Sequence, residues 1–145
     1  MEIRELTLQD IEGVVSLVDQ VFMKFVSREE TKEGIDTFKH VNTKEFYIQE
    51  TVKTYVIEKE NKIVGMVSIN TIDHIHLLFV DPNYQRQGMA SALLEKAMTI
   101  TKDDITVNSS LYAYHFYRAM GFHSTNIMQE KDGITFIPMV KRKDV

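Results

Sequence analysis

Two clusters of residues have types and spacing that chemistry could use. The first is the run Leu77-Leu78-Phe79-Val80-Asp81-Pro82-Asn83-Tyr84-Gln85-Arg86-Gln87-Gly88-Met89-Ala90-Ser91, an apolar segment that passes through a proline turn into a helix start. The first amides of a helix lack intrahelical acceptors, and the helix dipole adds partial positive charge there. Gly88, Ala90 and Ser91 are small enough for a phosphate to approach that backbone, and Arg86 could add a charge-assisted contact. Gln85-x-x-Gly88-x-Ala90, set directly after a strand and its Pro82 turn, therefore points to anion binding by main-chain amides. It is neither a Walker loop, which needs a Gly-Lys-Ser/Thr ending, nor a dinucleotide fingerprint, because Gly-x-Gly-x-x-Gly is missing. The second cluster is His74-Ile75-His76. Alternation along a strand sends both imidazoles to one face, away from Ile75 and Leu77. With ordinary pKa values near ~6.5, either ring could accept a proton at neutral pH, although two half-exposed histidines at the edge of a core would share this pattern.

Composition narrows the chemistry. The 145-residue chain has no cysteine, which removes disulfides, thiolate zinc sites and a cysteine nucleophile. The histidines lack a convincing third ligand, so no metal is expected. A formal charge of −4 argues against non-specific binding of nucleic acid. The opening Met-Glu-Ile-Arg-Glu is too charged for a secretory segment, and no apolar run approaches a membrane span. A cytoplasmic protein with neither nucleic-acid nor membrane partner is the expectation. No repeat, low-complexity tract or linker divides the chain, so residues 1–145 are read as one domain.

The elements that must position these clusters follow from periodicity. Residues 2–6 read as a short strand, and Thr7 with Asp10 as a capping box ahead of the helically spaced Ile11, Val14, Val15, Val18, Val21, Phe22 and Phe25. Ser27-Arg28-Glu29-Glu30 predicts a second box, opening a helix to about Val41. Met23, Phe25, Phe38, Phe46 and Tyr47 bracket this region as core residues or as one wall of a pocket. Residues 51–58 and 63–71 alternate around Lys59-Glu60-Asn61-Lys62 and predict a hairpin, continued by a strand over 72–80 that Asp81-Pro82 stops. A helix over 88–102 buries Ala92, Leu93, Ala97 and Ile100, and is followed by a strand at 104–107, a helix at 110–120 and a stop at Gly121. Residues 122–128 and 134–140 predict a last hairpin, with Asp132-Gly133 in its turn. The order is that of an α+β protein (an α/β mixed sheet) with helices packed on it.

Residues 85–90 match the pyrophosphate signature Gln/Arg-x-x-Gly-x-Gly/Ala, and Asn108 to Phe122, with Phe116-Tyr117-Arg118-Ala119-Met120-Gly121-Phe122, is similar to a second conserved segment of the same proteins. On both blocks and their spacing the chain resembles the Gcn5-related N-acetyltransferase (GNAT) superfamily, and its tail from Gly133 to Met139 resembles an uncharacterised bacterial subgroup. The resemblance implies a mostly antiparallel sheet of about six to seven strands, splayed at the cofactor site, with helices on both faces. It implies acetyl-CoA as cosubstrate, with the amides of Arg86, Gln87, Gly88, Met89, Ala90 and Ser91 beside Gln85 on the pyrophosphate. The backbone of Leu78, Phe79 and Val80 would pair with the pantetheine arm, and Asn108 would bond the arm or, alternatively, cap the next helix.

Acetyl transfer to an amine needs a neutral amine, stabilisation of the oxyanion and a proton for the departing thiolate. The resemblance places Tyr117 as general acid, because a phenol of pKa near ~10 stays protonated beside a thiol near ~8.5. An aromatic packing role at this point suits Phe116 better. The histidine pair looks like the His-x-His of arylalkylamine N-acetyltransferases. His74 also falls where histone-type relatives carry a glutamate base, while His76, nearer the splay point, is the preferred candidate base. The implied function is acetylation of a small-molecule or peptide amine, with a non-catalytic coenzyme A sensor on the same fold as the alternative. Glu29, Glu30, Glu33 and Asp36 could attract a cationic amine or simply face solvent. A homodimer through the C-terminal strands is compatible with the sequence.

Overall fold

A computed structural model describes residues 1–143. The chain opens with β1 (Arg4–Glu5) and α1 (Ile11–Val21), then α2 (Lys32–Val41) and a one-turn α3 (Lys44–Tyr47). A meander of β2 (Val52–Lys59), β3 (Lys62–Asn70) and β4 (His74–Val80) leads into α4 (Met89–Met98). It closes with β5 (Ile105–Ser109), α5 (Tyr114–Ala119), β6 (His123–Ser124), β7 (Gln129–Lys131) and β8 (Ile134–Lys141). The strand order is β1-β2-β3-β4-β5-β8-β6, with β7 also on β8; every pairing is antiparallel except β4 with β5. Two apolar clusters pack the two faces of the sheet. Met89, Leu93, Leu94 and Ala97 of α4 and Tyr117 of α5 cover one face. Ile11, Val14, Leu17, Val18 and Val21 of α1, Phe38 of α2 and Phe46 and Tyr47 of α3 cover the other. No helix among the described residues is long and apolar enough to cross a membrane.

Local chemistry explains most boundaries. Asp10 accepts from the Thr7 amide at 2.8 Å and holds Arg4 at 2.6 Å, so the capping box also pins β1 to the start of α1. Glu60 and Asn61 take φ of 52° and 63°, the geometry of a tight hairpin whose twist suits the strands. Asp132 and Gly133 do the same between β7 and β8, and Gly121 at φ 97° stops α5.

Several expectations are corrected. The Ser27 box does not open a helix: its hydroxyl donates to the Met23 carbonyl at 2.6 Å, closing a π-turn at Phe22–Val26, while Glu30 is drawn to β8. α2 begins five residues later, capped by Thr31, whose Oγ1 accepts from the Gly34 amide at 3.1 Å. α4 ends at Met98, which leaves Ile100 40% exposed, with Leu94 in the buried row instead. β5 extends to Ser109, so Asn108 lies inside a strand opposite Pro138 and caps no helix; Ser110 Oγ accepts from the Ala113 amide instead. Alternation also fails within β4. Ser68 faces Leu77 and Ile69 faces Ile75, which makes His76 the extra residue of a β-bulge. Ile75 consequently packs with the α4 cluster, whereas Leu77, expected on the same side, packs with the α1 cluster.

Candidate functional site

β4 and β5 pair over only two positions, His74 with Thr106 and Ile75 with Val107. Beyond them Asn108 and Ser109 pair only with β8, and Leu77 to Val80 only with β3. Successive peptide groups of a strand point to alternate sides, so those of β4 that face away from β3 have no strand partner there. A cavity of about 820 Å³ occupies this gap. Leu78, Phe79, Val80, Gln85, Arg86, Gly88, Met89, Ala90, Ser91 and Asn108 all line it, as do His74, His76 and Tyr117. Gln87 is exposed and lies outside the lining.

At one end is the turn into α4. Buried Asp81 accepts from the Asn83 amide at 2.9 Å and pairs with Lys62 at 3.0 Å, which sets the turn. Gln85 Nε2 donates to the Val80 carbonyl at 3.0 Å and ties the turn back to β4. Arg86 and Gly88 both have positive φ, 66° and 80°, a curl that gathers main-chain N–H groups around a concavity. A Cβ built on Gly88 meets nothing within 4 Å, so the space before this helix N-terminus is open.

The proton-carrying groups lie deeper. The two imidazoles stand 5.5 Å apart, nearly perpendicular. Asn70 Oδ1 accepts from the amides of Ile72 and His74 at 3.1 and 3.0 Å, which turns its Nδ2 to His76 Nε2 at 3.1 Å. On this network His76 Nε2 is the acceptor, and the neutral ring carries its proton on Nδ1. His74 Nδ1 lies 2.7 Å from Thr106 Oγ1, and among the described residues its Nε2 has no hydrogen-bond partner. Burial, and then the charge of His76, holds the pKa of His74 below the usual imidazole value; burial alone lowers that of His76. Tyr117 is only 4% exposed, edge-on to Phe116 and Phe122 at 5.2 and 5.3 Å, and burial raises its phenol above the usual range. It takes the deeper packing position, with Phe116 half-buried beside it.

The other end is aromatic. Phe22 and Phe38 stack at 3.7 Å, and Phe79 meets Phe38 edge-on at 6.2 Å. Of the aromatic wall read from the sequence, Phe38 alone lines the cavity. Met23 is exposed, Phe25 stacks on Tyr112 at 5.0 Å, Phe46 lies under His76, and Tyr47 donates to Asn42 Oδ1 at 2.6 Å in the core. Phe22, Val26 and Thr37 line the cavity too, as do Lys131, Asp132, Ile134, Thr135 and Phe136 of the last hairpin, none of them singled out from the sequence as pocket residues. The hairpin's share comes from a segment about a hundred positions from α2, which no local pattern reports. Glu33 and Asp36 face solvent, Glu29 accepts from the Tyr112 amide at 3.1 Å, and Glu30 accepts from the Thr135 amide at 2.7 Å.

Comparisons with known proteins agree with this geometry. The family profile described as the acetyltransferase (GNAT) domain matches residues 26–143. Over 62 residues the chain is 44% identical to the uncharacterized N-acetyltransferase YafP of Escherichia coli, covering 42% of this chain and 39% of that protein. Over 87 residues it is 33% identical to human N-acetyltransferase 8, covering 49% and 38%. The matches thus span less than two-fifths of either relative's length. Among solved structures, a GCN5-related N-acetyltransferase from Rhodopseudomonas palustris superposes with a TM-score of 0.80 at 17% identity, covering 97% of this chain and 94% of that one. The PaiA N-acetyltransferase of Thermoplasma acidophilum, in complex with coenzyme A, superposes at 0.79 with 19% identity, covering 97% and 98%. At such identities these two establish the fold alone.

Proposed function

This chain belongs to the GNAT acetyltransferase family, and from that premise we propose that it transfers an acetyl group from acetyl-CoA to a primary amine. The observation that carries the reading is the unpaired edge of β4 running straight into the open, glycine-started N-terminus of α4. The two features suit the two parts of one ligand: an extended amide-bearing arm and a pyrophosphate. Residues Gln85 to Ser91 would hold the phosphates, Leu78 to Val80 the arm, and Asn108 would face it from β5. Acetyl-CoA supplies the reaction with an activated thioester carbonyl.

The chain's own groups divide the remaining work. The main-chain N–H of Val80, on the side of β4 away from β3, stabilises negative charge on the carbonyl oxygen. His74 Nε2 takes the proton from the incoming amine. With its Nδ1 donating to Thr106 Oγ1, the ring carries its lone pair on Nε2, and a lowered pKa keeps it unprotonated at neutral pH. His76, held by Asn70, borders the site and tunes its neighbour. The Tyr117 hydroxyl holds its proton firmly and gives it to the sulfur as the carbon–sulfur bond breaks.

Thermal unfolding with acetyl-CoA, beside ATP and NAD, tests the reading. At a hundredfold excess over Kd, acetyl-CoA should add about 2.7 kcal/mol, seen as a rise of several degrees. Gly88→Val should lose that rise, because its side chain fills the phosphate space and strains a left-handed backbone position. Stabilisation by none of the three ligands would sink the proposal. Stabilisation by acetyl-CoA without thiol release from any amine would point to a coenzyme A sensor.

A further inference from the structure

The turn into α4 hangs from Asp81. The main-chain N–H of this residue donates to the Val64 carbonyl at 2.8 Å, and its own carbonyl accepts from the Tyr84 amide at 2.9 Å. Its Oδ1 accepts from the Asn83 amide at 2.9 Å, and the whole residue is buried. Among the described residues Oδ2 makes no hydrogen bond, and the cation that faces it is the Lys62 ammonium at 3.0 Å. Burial opposes ionisation of this carboxyl, yet the Asn83 amide and the Lys62 ammonium outweigh it and hold the pKa below the usual carboxylate range. Asp81 is therefore charged at neutral pH, at the start of a turn that would hold two phosphates. A buried negative charge reaches further than an exposed one, because little water or salt screens it. Lys62 opens β3 with its side chain 57% exposed, and it lies outside the cavity lining. Its influence on an anion in the cavity thus passes through Asp81.

We propose that Lys62 is a positioning residue for the coenzyme: its ammonium cancels the Asp81 charge at the start of the pyrophosphate turn and fixes the carboxylate that shapes that turn. The inference rests on the acetyl-CoA reading above and adds to the same site a residue that no ligand contact would reveal. Without the ammonium, the buried carboxylate lacks a counter-charge, and placing a second anion nearby becomes more costly. The carboxylate is then oriented only by the Asn83 amide, which the turn itself supplies.

The test measures the Kd of acetyl-CoA by titration calorimetry, and the Tm without ligand. The proteins are the unmodified chain, Lys62→Gln, Lys62→Arg and the double variant Lys62→Gln/Asp81→Asn. Gln removes the charge, keeps an N–H donor and suits an exposed position, so Lys62→Gln should fold. It should raise Kd ~10-fold, the scale of one charge interaction across a partly screened distance. Lys62→Arg keeps the charge and should stay within ~2-fold of the unmodified chain. Removing both charges should bring Kd back toward the unmodified value, a coupling that mere loss of a structural contact would not produce. An unchanged Kd in Lys62→Gln overturns the inference. So does a Lys62→Arg that binds as weakly as Lys62→Gln, or a folded double variant that binds no better than Lys62→Gln. Absence of acetyl-CoA binding by the unmodified chain would instead remove the reading beneath it.

Discussion

Asn70 separates two histidines that look equivalent in the sequence. Two main-chain N–H groups orient its amide, and the amide then occupies the acceptor nitrogen of His76, whereas among the described residues His74 Nε2 has no hydrogen-bond partner. His74→Gln should therefore lower kcat ~10²-fold or more while leaving acetyl-CoA stabilisation intact. The pH profile of kcat carries the sign. A base with a lowered pKa is active above that pKa, so kcat should fall with acid only below the usual imidazole value of ~6.5. His76→Gln removes the neighbouring charge that helps lower His74, so the acid limb should move to higher pH. Tyr117→Phe, measured in the same series, keeps the ring packed and removes only the proton, so it should cost rate without unfolding the chain. An unshifted profile in His76→Gln together with full activity in His74→Gln would reject this division of roles.

Among the elements, β4 is the one whose irregularity matters most. The bulge at His76 reverses the inside-outside pattern, so that Leu77 and Phe79 join the histidines' side of the sheet and Leu78 and Val80 join the α4 side. A period of two cannot announce its own interruption, which is why the expected orientation held for Ile75 and failed for Leu77. The start of α1 was legible because its chemistry is local. Asp10 combines the capping contact to Thr7 with two bonds to Arg4, and those bonds lower its pKa to about 2. Asp10→Ala should cost about 1–2 kcal/mol at neutral pH, limited by the partial exposure of Arg4. A depressed carboxylate stabilises fully above its unfolded pKa of ~3.9 and loses that contribution as pH falls toward 2. Urea midpoints of the two proteins should therefore differ at neutral pH and converge between about pH 4 and pH 2, and parallel curves would refute the linkage.

Over the whole molecule, the contact of α2 with the β7–β8 turn joins residues nearly a hundred positions apart. Gly34 and Gly133 approach so closely that any Cβ collides with backbone rather than with a yielding side chain. Gly34→Ala should accordingly destabilise by about 1–3 kcal/mol, a drop of a few degrees in Tm. The increment from acetyl-CoA should persist, because the α4 turn lies at the opposite end of the cavity. An unchanged Tm would mean that the Gly34–Gly133 contact yields to a methyl group.

The strand expected over 122–128 is broken into His123–Ser124 and Gln129–Lys131, whereas the turn into α4, the first hairpin, the Asp132-Gly133 turn of the last one and the capping box at Thr7 were readable in the chain alone. Each depends on neighbours within a few positions: a glycine that must take positive φ, a proline without an N–H, a carboxylate three residues from its cap. Asn108's place inside β5, the side taken by Leu77 and the choice of Phe22, Phe38, Phe79 and Phe136 as the aromatic lining were not readable. They follow from which strands meet and where they part, and long-range pairing leaves no local period or composition to mark it. The same limit explains the two histidines. Their residue types and spacing were plain, but which nitrogen is free depends on an asparagine delivered from the neighbouring strand.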